Sequence, residues 1–276
     1  MIRILLKLFL ALILIGLGCV TYGLLIEPKT LELRGPELIS NTYSGSPLRI
    51  GVMTDIHIGG LHVPAVRVER LVADMNRLDP HIVLLPGDFV DGHVPSNSRS
   101  LAFNANLEAG IKYLSALKAP SFATIGNHDA WYGADEISNM LQSSGVTVLE
   151  NDSVTFRDLC IVGLADAMTA KPSRAAYDKC PLTNRPIVFT HSPEAWPAFR
   201  SDSLLVVAGH THGGQVNLPI IGRRVNATSL DAEHSYGFSK LAGVDVFVSA
   251  GVGTSILPVR FRAPPEIVVL TLKASD

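Results

Sequence analysis

The sequence predicts an α/β domain built on a largely parallel β-sheet and preceded by one apolar helix. Three observations carry that expectation. Five apolar runs of strand length each end abruptly in a polar cluster, helix-period stretches separate the early runs, and the chain opens on a long uncharged segment. The 276 residues contain no internal repeat, and the chain beyond the opening segment is long enough for one large domain with a substantial core.

The opening segment comes first. Leu8 to Ile26 carries no charge, follows Arg3 and Lys7, and precedes the mixed charges Glu27, Lys29, Glu32 and Arg34. As a helix it matches the ~30 Å hydrocarbon core of a bilayer. A cleaved signal peptide, the rival reading, normally has an apolar region of only about 7–15 residues ending in an A-x-A-like site. This run is longer and has no such site, and Gly16-Leu17-Gly18-Cys19 departs from a lipoprotein box. Residues 1–26 therefore read as an uncleaved, single-pass membrane anchor. The basic residues ahead of it favour a cytoplasmic N-terminus, with the charge bias small. Residues 27–47, rich in Pro and Gly, read as a linker with one short edge strand over Thr30–Arg34. Residues 48–276 form the domain.

In the domain, Leu48–Met53 runs into Thr54-Asp55-Ile56-His57, and Ile82–Leu85 into Pro86-Gly87-Asp88-Phe89-Val90-Asp91. Phe122–Ile125 runs into Gly126-Asn127-His128-Asp129, Ile187–Phe189 into Thr190-His191, and Leu204–Ala208 into Gly209-His210-Thr211-His212-Gly213-Gly214-Gln215. Near-continuous Val/Ile/Leu runs suit a sheet covered on both faces. Pro64–Leu78 and Leu101–Leu117 carry the helical period between the early runs. In parallel sheets ligands bind beyond the carboxyl ends of the strands, so the five clusters are expected to converge on one sheet edge. Gly87, Gly126 and Gly209 are read as permitting the tight turns there.

What converges is chemically coherent. Asp55, His57, Asp88, Asn127, His191, His210 and His212 are oxygen and imidazole donors of the kind that hold Mn, Fe, Zn or Mg. Seven exceed the need of one four-coordinate ion, and a carboxylate shared between two ions accounts for the number. Each motif alone is weak, since D-x-H and Gly-Asp pairs arise in ordinary turns; their joint occurrence, each at a strand end, is not. His62, His81, His93 and His234 lack such context and read as ordinary structural or surface histidines. Trp131 and Tyr132 either line the pocket or simply pack.

Composition narrows the rest. A net charge of −2, with Lys and Arg scattered, gives no electrostatic footprint for nucleic acid, and nothing indicates a protein partner. Cys19, Cys160 and Cys180 form no C-x-x-C pair, which argues against a thiolate zinc site. Cys160 reads as a buried strand residue, able to pair with Cys180 if the domain is exported.

The ordered set Asp55-x-His57, Gly87-Asp88-x-x-Asp91, Gly126-Asn127-His128-Asp129, His191 and Gly209-His210-x-His212 resembles the calcineurin-like metallophosphoesterase superfamily. The string from Gly209 to Gln215 and the late segment Gly253–Ile267 look like its bacterial membrane-associated branch, which includes the YkuE and YaeI proteins and UDP-2,3-diacylglucosamine pyrophosphatase. The resemblance covers roughly Leu48–Leu272. It implies a four-layer α-β-β-α sandwich with two divalent ions, manganese first among them. Asp55, His57 and His212 would hold one ion, Asn127, His191 and His210 the other, and Asp88 would bridge. His128 would act at the departing oxygen, oriented by Asp91. Arg260 and Arg262 are candidates to clamp a phosphate or lipid headgroup, or else a surface pair flanking a turn. Gly92 and His93 stand where many phosphoprotein phosphatases carry Arg, which argues against that type of phosphate clamp. The implied activity is hydrolysis of a phosphoester, phosphodiester or pyrophosphate bond, in a lipid-linked substrate such as UDP-2,3-diacylglucosamine. The alternative is a broad phosphomonoesterase or nucleotide phosphodiesterase that is merely anchored.

Overall fold

The computed structural model describes residues 1–181, 185–223 and 227–275. The strands in chain order are β1 (Glu32–Arg34), β2 (Glu37–Ser40), β3 (Leu48–Val52), β4 (Ile82–Pro86), β5 (Ser121–Thr124), β6 (Thr147–Val148), β7 (Asp152–Phe156), β8 (Leu159–Leu164), β9 (Pro186–Thr190), β10 (Leu205–Ala208), β11 (Asn217–Leu218), β12 (Gly222–Arg223), β13 (Gly237–Leu241), β14 (Val244–Val248) and β15 (Glu266–Ala274). One sheet runs β1-β15-β3-β4-β5-β6, with β2 also on β15, and a second runs β13-β14-β10-β9-β8-β7. β11 and β12 pair in a small hairpin.

The five apolar runs are β3, β4, β5, β9 and β10, but they do not share one sheet. The first three lie in the first sheet and the last two in the second. A continuous apolar run says that both faces of a strand are covered, not by what. Here each sheet covers the other: Ile50, Val52, Ile82 and Leu84 pack with Ile187, Phe189, Leu205 and Val207 in one buried cluster. β3, β4 and β5 are parallel, as are β8, β9, β10 and β14. Their carboxyl ends meet at one end of the sandwich.

The outer face of the first sheet is covered by α2 (Ala65–Arg77), α3 (Leu101–Lys112) and α4 (Asn127–Ser143), which come after the apolar helix α1 (Ile2–Thr21) in the chain. α2 buries Val68, Leu71, Val72 and Met75, an i, i+3, i+4, i+7 stripe. Ser100 caps α3 by accepting the Phe103 N–H. The outer face of the second sheet is thinner. Between β8 and β10 the described residues form short 3₁₀ turns, Arg174–Tyr177 and Pro193–Ala198, because Pro172, Pro181, Pro186, Pro193 and Pro197 interrupt any longer helix. Tyr177, Ala195 and Phe199 from these turns pack on Val162, Val188 and Val206. Cys160 and Cys180 are disulfide-bonded, with Cα atoms 5.6 Å apart, and staple this layer to β8.

α1 continues through a π-helical turn, Tyr22–Ile26, and a 3₁₀ turn, Glu27–Lys29. The whole helix is long and apolar enough to cross a membrane. Its base is fixed to the domain. Gly23 O accepts the Arg260 N–H at 3.0 Å, and the Glu27 carboxylate accepts the N–H groups of Arg262 and Ala263 at 2.8 and 2.6 Å. Arg67 donates to the Pro28 carbonyl. The segment read as a linker, residues 27–47, is tied to the domain at its start and through two short strands. The foreseen edge strand forms as β1, and β2 adds to the other end of β15. β2, four residues held by backbone pairing, shows too little alternation to read from sequence.

Candidate metal centre

The loops at the strand ends are held in unusual backbone conformations. Asp55, His57, Asp88, His210 and His212 all have positive φ, between 50 and 69°, a region that non-glycine residues seldom occupy. Neighbouring loops clamp them there. The Asp55 N–H reaches Gly87 O at 3.1 Å, and the His57 N–H reaches Asp88 O at 3.0 Å. The His210 N–H donates to the Asp55 carboxylate at 3.0 Å, which also takes the Thr54 hydroxyl at 2.9 Å. Asp129, in the first turn of α4, accepts the N–H groups of Phe89, Val90 and Gly126 and so ties the Asp88 loop to the helix start. Sequence reading assigned Asp129 no role. Its signal is an acidic residue three positions after the cap residue Gly126, the spacing of a capping box.

All seven candidate donors are buried, and the structure brings them together. On one side His57 Nε2 lies 3.1 Å from His212 Nε2, with Asp55 Oδ1 3.4 Å from the latter. On the other, His191 Nε2 lies 3.0 Å from Asn127 Oδ1, 3.0 Å from His210 Nδ1 and 3.2 Å from Asp88 Oδ2. The same Asp88 oxygen lies 3.6 Å from His57 Nε2, between the two groups. His191 Nδ1 faces the Pro86 carbonyl at 2.8 Å. A carbonyl only accepts, so Nδ1 carries a proton and Nε2 points inward; burial acts to discharge the ring, yet Asp88 holds His191 well above its ordinary value, so Nε2 is also protonated until a cation takes that proton's place. Lone pairs and carboxylates this close repel unless protons or cations lie between them.

The electrostatics agree with that need. Burial, with the charges of His128, His191 and Arg260 working against the pull of Asp88, pushes the His57 imidazole down to about 3. Burial, with His57 and Arg260 beside it, holds His212 well below its ordinary value. Both rings are neutral at physiological pH, the form that ligates a metal. Burial pushes Asp55 up to about 7. Burial also acts to raise Asp88, yet the adjoining His191 holds its carboxyl well below the usual range. A cation among these groups would favour ionised carboxylates and neutral imidazoles. The donor set fits two divalent ions: one among Asp55, His57 and His212, one among Asn127, His191 and His210, with Asp88 between.

The remaining candidates divide. His128 stands beside the donors, its Nε2 3.9 Å from Asp88 Oδ2 and its ring edge-on to His57. Asp91 does not orient it; the Gly92 carbonyl does, 2.9 Å from Nδ1. The Asp91 carboxylate turns instead toward His57 Nδ1, 3.9 Å away, because the loop turns sharply at Gly92, φ +85°. Arg260 is neither a phosphate clamp nor a surface residue. It is fully buried, and its guanidinium donates to the carbonyls of Ala250, Gly253 and Ala263. The fixed cation braces the loop around Gly251–Gly253 and lies 3.4 Å from His212 Nδ1. Arg262 is exposed beside the base of α1 and does not line the cleft.

Asp88, Asn127, His210 and His212 floor a cleft of about 370 Å³, walled by Trp131, Met168, Val216, Ile256 and Leu257. Trp131 thus lines the pocket, whereas Tyr132 is packed, its hydroxyl on Asn104. His93, read as ordinary, lies in the cleft wall with its ring 4.6 Å from that of His128. Ser255, also overlooked, places Oγ 3.2 Å from His128 Nε2.

Residues 48–214 match the family model for the calcineurin-like phosphoesterase. The chain belongs to that family. This calcineurin-like phosphoesterase is a hydrolase acting on phosphate esters. It is 29% identical over 269 residues to phosphodiesterase YaeI of Escherichia coli (strain K12), covering 93% of each chain. It is also 26% identical over 272 residues to the metallophosphoesterase YkuE of Bacillus subtilis (strain 168), covering 92% of this chain and 90% of that one. A dimetal phosphatase from Danio rerio shares the fold at 14% identity, with a TM-score of 0.50, covering 83% of this chain and 99% of the other.

Proposed function

We propose that this chain cleaves a phosphoester, phosphodiester or pyrophosphate bond in a lipid-linked substrate at a dinuclear, manganese-preferring centre, with UDP-2,3-diacylglucosamine as the candidate to test first. The observation that carries the reading is the pairing of a donor floor with apolar walls: Asp88, Asn127, His210 and His212 lie at the bottom of a cleft whose sides are Trp131, Met168, Val216, Ile256 and Leu257. The anchor helix, fixed to the same face of the domain, supports a substrate resident in the membrane. YaeI, the relative from Escherichia coli, is named as a phosphodiesterase.

Asp55, His57 and His212 would hold one ion and Asn127, His191 and His210 the other, with Asp88 available to both. When bound, such a pair supplies Lewis acidity against phosphoryl oxygens and hydroxide near neutral pH. The protein's own groups do the rest. His191 is set in one tautomer by Pro86, and His128 by Gly92. With Nδ1–H on that carbonyl, His128 turns Nε2 to the cleft; burial lowers the ring's hold on a second proton while Asp88 works to keep it, so a proton taken up at Nε2 passes readily to the departing oxygen. The Ser255 hydroxyl beside Nε2 completes that proton's hydrogen bonding. Asp91 faces the far nitrogen of His57 at 3.9 Å, too far for a direct hydrogen bond, and does not reach His128.

A panel in Mn²⁺ tests the reading: p-nitrophenyl phosphate, bis-p-nitrophenyl phosphate and UDP-2,3-diacylglucosamine in detergent. We expect the diester and the lipid to be turned over faster than the monoester. Efficient turnover of the monoester with no hydrolysis of the lipid would instead identify a broad phosphomonoesterase that is merely anchored.

A further inference from the structure

The strands and loops around the cleft leave large apolar side chains in water. Leu218, Ile220 and Ile221 stand out on the β11–β12 hairpin, and Ile256 and Leu257 on the loop after Gly253. Ile220 is fully exposed and Ile256 is 84% exposed. Both sit at positive φ, 69 and 62°, a region that disfavours β-branched residues. Neither burial nor backbone preference in the folded domain accounts for isoleucine at these two positions. A contiguous apolar patch of this kind marks an interaction surface.

The patch is continuous with the base of α1. Gln215 donates to the carbonyls of Ser255 and Leu257, which joins the hairpin stem to the Ile256 loop. Phe261 N–H reaches Gln215 O, and Asn217 N–H reaches Phe261 O. Phe261 in turn meets Tyr22 edge-on at 6.2 Å, next to Gly23, whose carbonyl takes the Arg260 N–H. Tyr22, Leu25 and Ile26 at that base are themselves exposed. A helix that crosses a bilayer and is fixed here obliges the surface around its base to face the lipid. Lys29 and Arg262 are exposed at the same level, as expected where anionic headgroups lie.

We propose that the β11–β12 hairpin and the Ile256–Leu257 loop, together with the base of α1, form an apolar collar that dips into the membrane interface and opens the cleft directly onto the lipid. The inference rests on the anchored, lipid-cleaving reading above and deepens it. Such a collar lets a phosphorylated headgroup reach the donors without leaving the bilayer surface, and the apolar cleft walls take the part of the lipid nearest the headgroup.

The test uses the full chain in vesicles of phosphatidylethanolamine and phosphatidylglycerol. Ile220→Cys, made in a Cys19→Ser background, is labelled with an environment-sensitive nitrobenzoxadiazole dye, and Ser201→Cys at the opposite end of the strands serves as control. Flotation with the vesicles reports the anchor separately. We expect the Ile220 probe to brighten, shift to the blue and be quenched by brominated lipid, while the Ser201 probe stays aqueous. An Ile220 probe as water-exposed as the control, on protein that floats, would overturn the collar and leave the anchor intact. Protein that does not float would sink the anchored reading itself. Ile220→Asp with Ile221→Asp should leave turnover of bis-p-nitrophenyl phosphate unchanged, which shows that the domain is folded. The same variant should slow cleavage of the vesicle-borne lipid substrate by about tenfold or more, the scale set by burying two isoleucines. Equal rates on that lipid would count against the collar, and failure of every lipid substrate with the Ile220 probe embedded would count against the substrate class alone.

Discussion

Each of the sequence motifs D-x-H and H-x-H places two donors one residue apart, and the structure explains how both can face one centre: Asp55 and His57, and likewise His210 and His212, each take the left-handed conformation. Strain of this kind is held only where the surroundings fix it, as the Asp129 and Thr54 hydrogen bonds do here. The donors themselves were legible because side-chain chemistry is written in the motif. Their supports were not, because a backbone carbonyl such as that of Gly92 leaves no mark in sequence, and Arg260 looked like any other arginine near a turn. Asp88→Asn and His210→Ala should each abolish turnover, with metal content by elemental analysis falling in step; EDTA should do the same, reversibly on adding Mn²⁺. Full turnover by metal-free protein would refute the dinuclear reading. His128→Ala should keep both metals while kcat falls by about 10² to 10⁴, the usual worth of a placed acid–base group. The loss should shrink with p-nitrophenolate as leaving group, which hardly needs a proton; loss of a metal in this variant would make His128 a ligand. Arg260→Met should act on stability rather than on KM, since it strips the Ala250, Gly253 and Ala263 carbonyls of their donor. A cost of about 2–4 kcal/mol by urea unfolding is expected; a variant of unchanged stability with raised KM would return Arg260 to substrate binding.

At the scale of elements, the strands and helices with strong periodicity were legible: all five apolar runs, α2 and α3. The partition into two sheets was not, because the pattern of a strand covered by a sheet is the same as that of one covered by helices. The start of α4 lay hidden inside a chemical motif, Gly-Asn-His-Asp. Two glycines read as turn formers also proved to serve another purpose. Gly126 and Gly209 have no left-handed φ; they are glycine because a Cβ would strike the Asp88 carboxylate at the first position and that of Asp55 at the second. Gly126→Ala should therefore push Asp88 out of place while α4, capped by Asp129, still forms. We expect near-wild-type circular dichroism, loss of at least one metal equivalent and turnover reduced by about 10² or more, the scale of a catalytic displacement near 1 Å. Retained activity in Gly126→Ala would mean that the Asp88 loop yields and that the close approach is incidental.

For the molecule as a whole, two independent features bear on which side of a membrane the anchored domain would occupy. Arg3 and Lys7 ahead of the apolar run favour a cytoplasmic N-terminus, though Lys29 and Arg34 beyond it weaken the bias. The Cys160–Cys180 disulfide adds what charge alone lacked. It ties the thin turn layer to β8, and such bonds persist in oxidising compartments and are rare in the cytosol. The layer needs it, since its 3₁₀ turns bury little beyond Tyr177, Ala195 and Phe199; closing a loop of this length contributes about 2–4 kcal/mol. With α1 as a single span, we infer from both features that the metal centre faces outward. An alkaline phosphatase fused to the C-terminus should then be active and a green fluorescent protein fusion dark. Alkylation of Cys160 and Cys180 under native conditions should require prior reduction. This placement also decides within the proposed substrate class: an outward-facing cleft would meet a phosphorylated lipid of the outer leaflet, and an inward-facing one the UDP-linked lipid, so the fusion experiment chooses between them. A fluorescent fusion with both thiols free would reverse the orientation and make UDP-2,3-diacylglucosamine the stronger substrate.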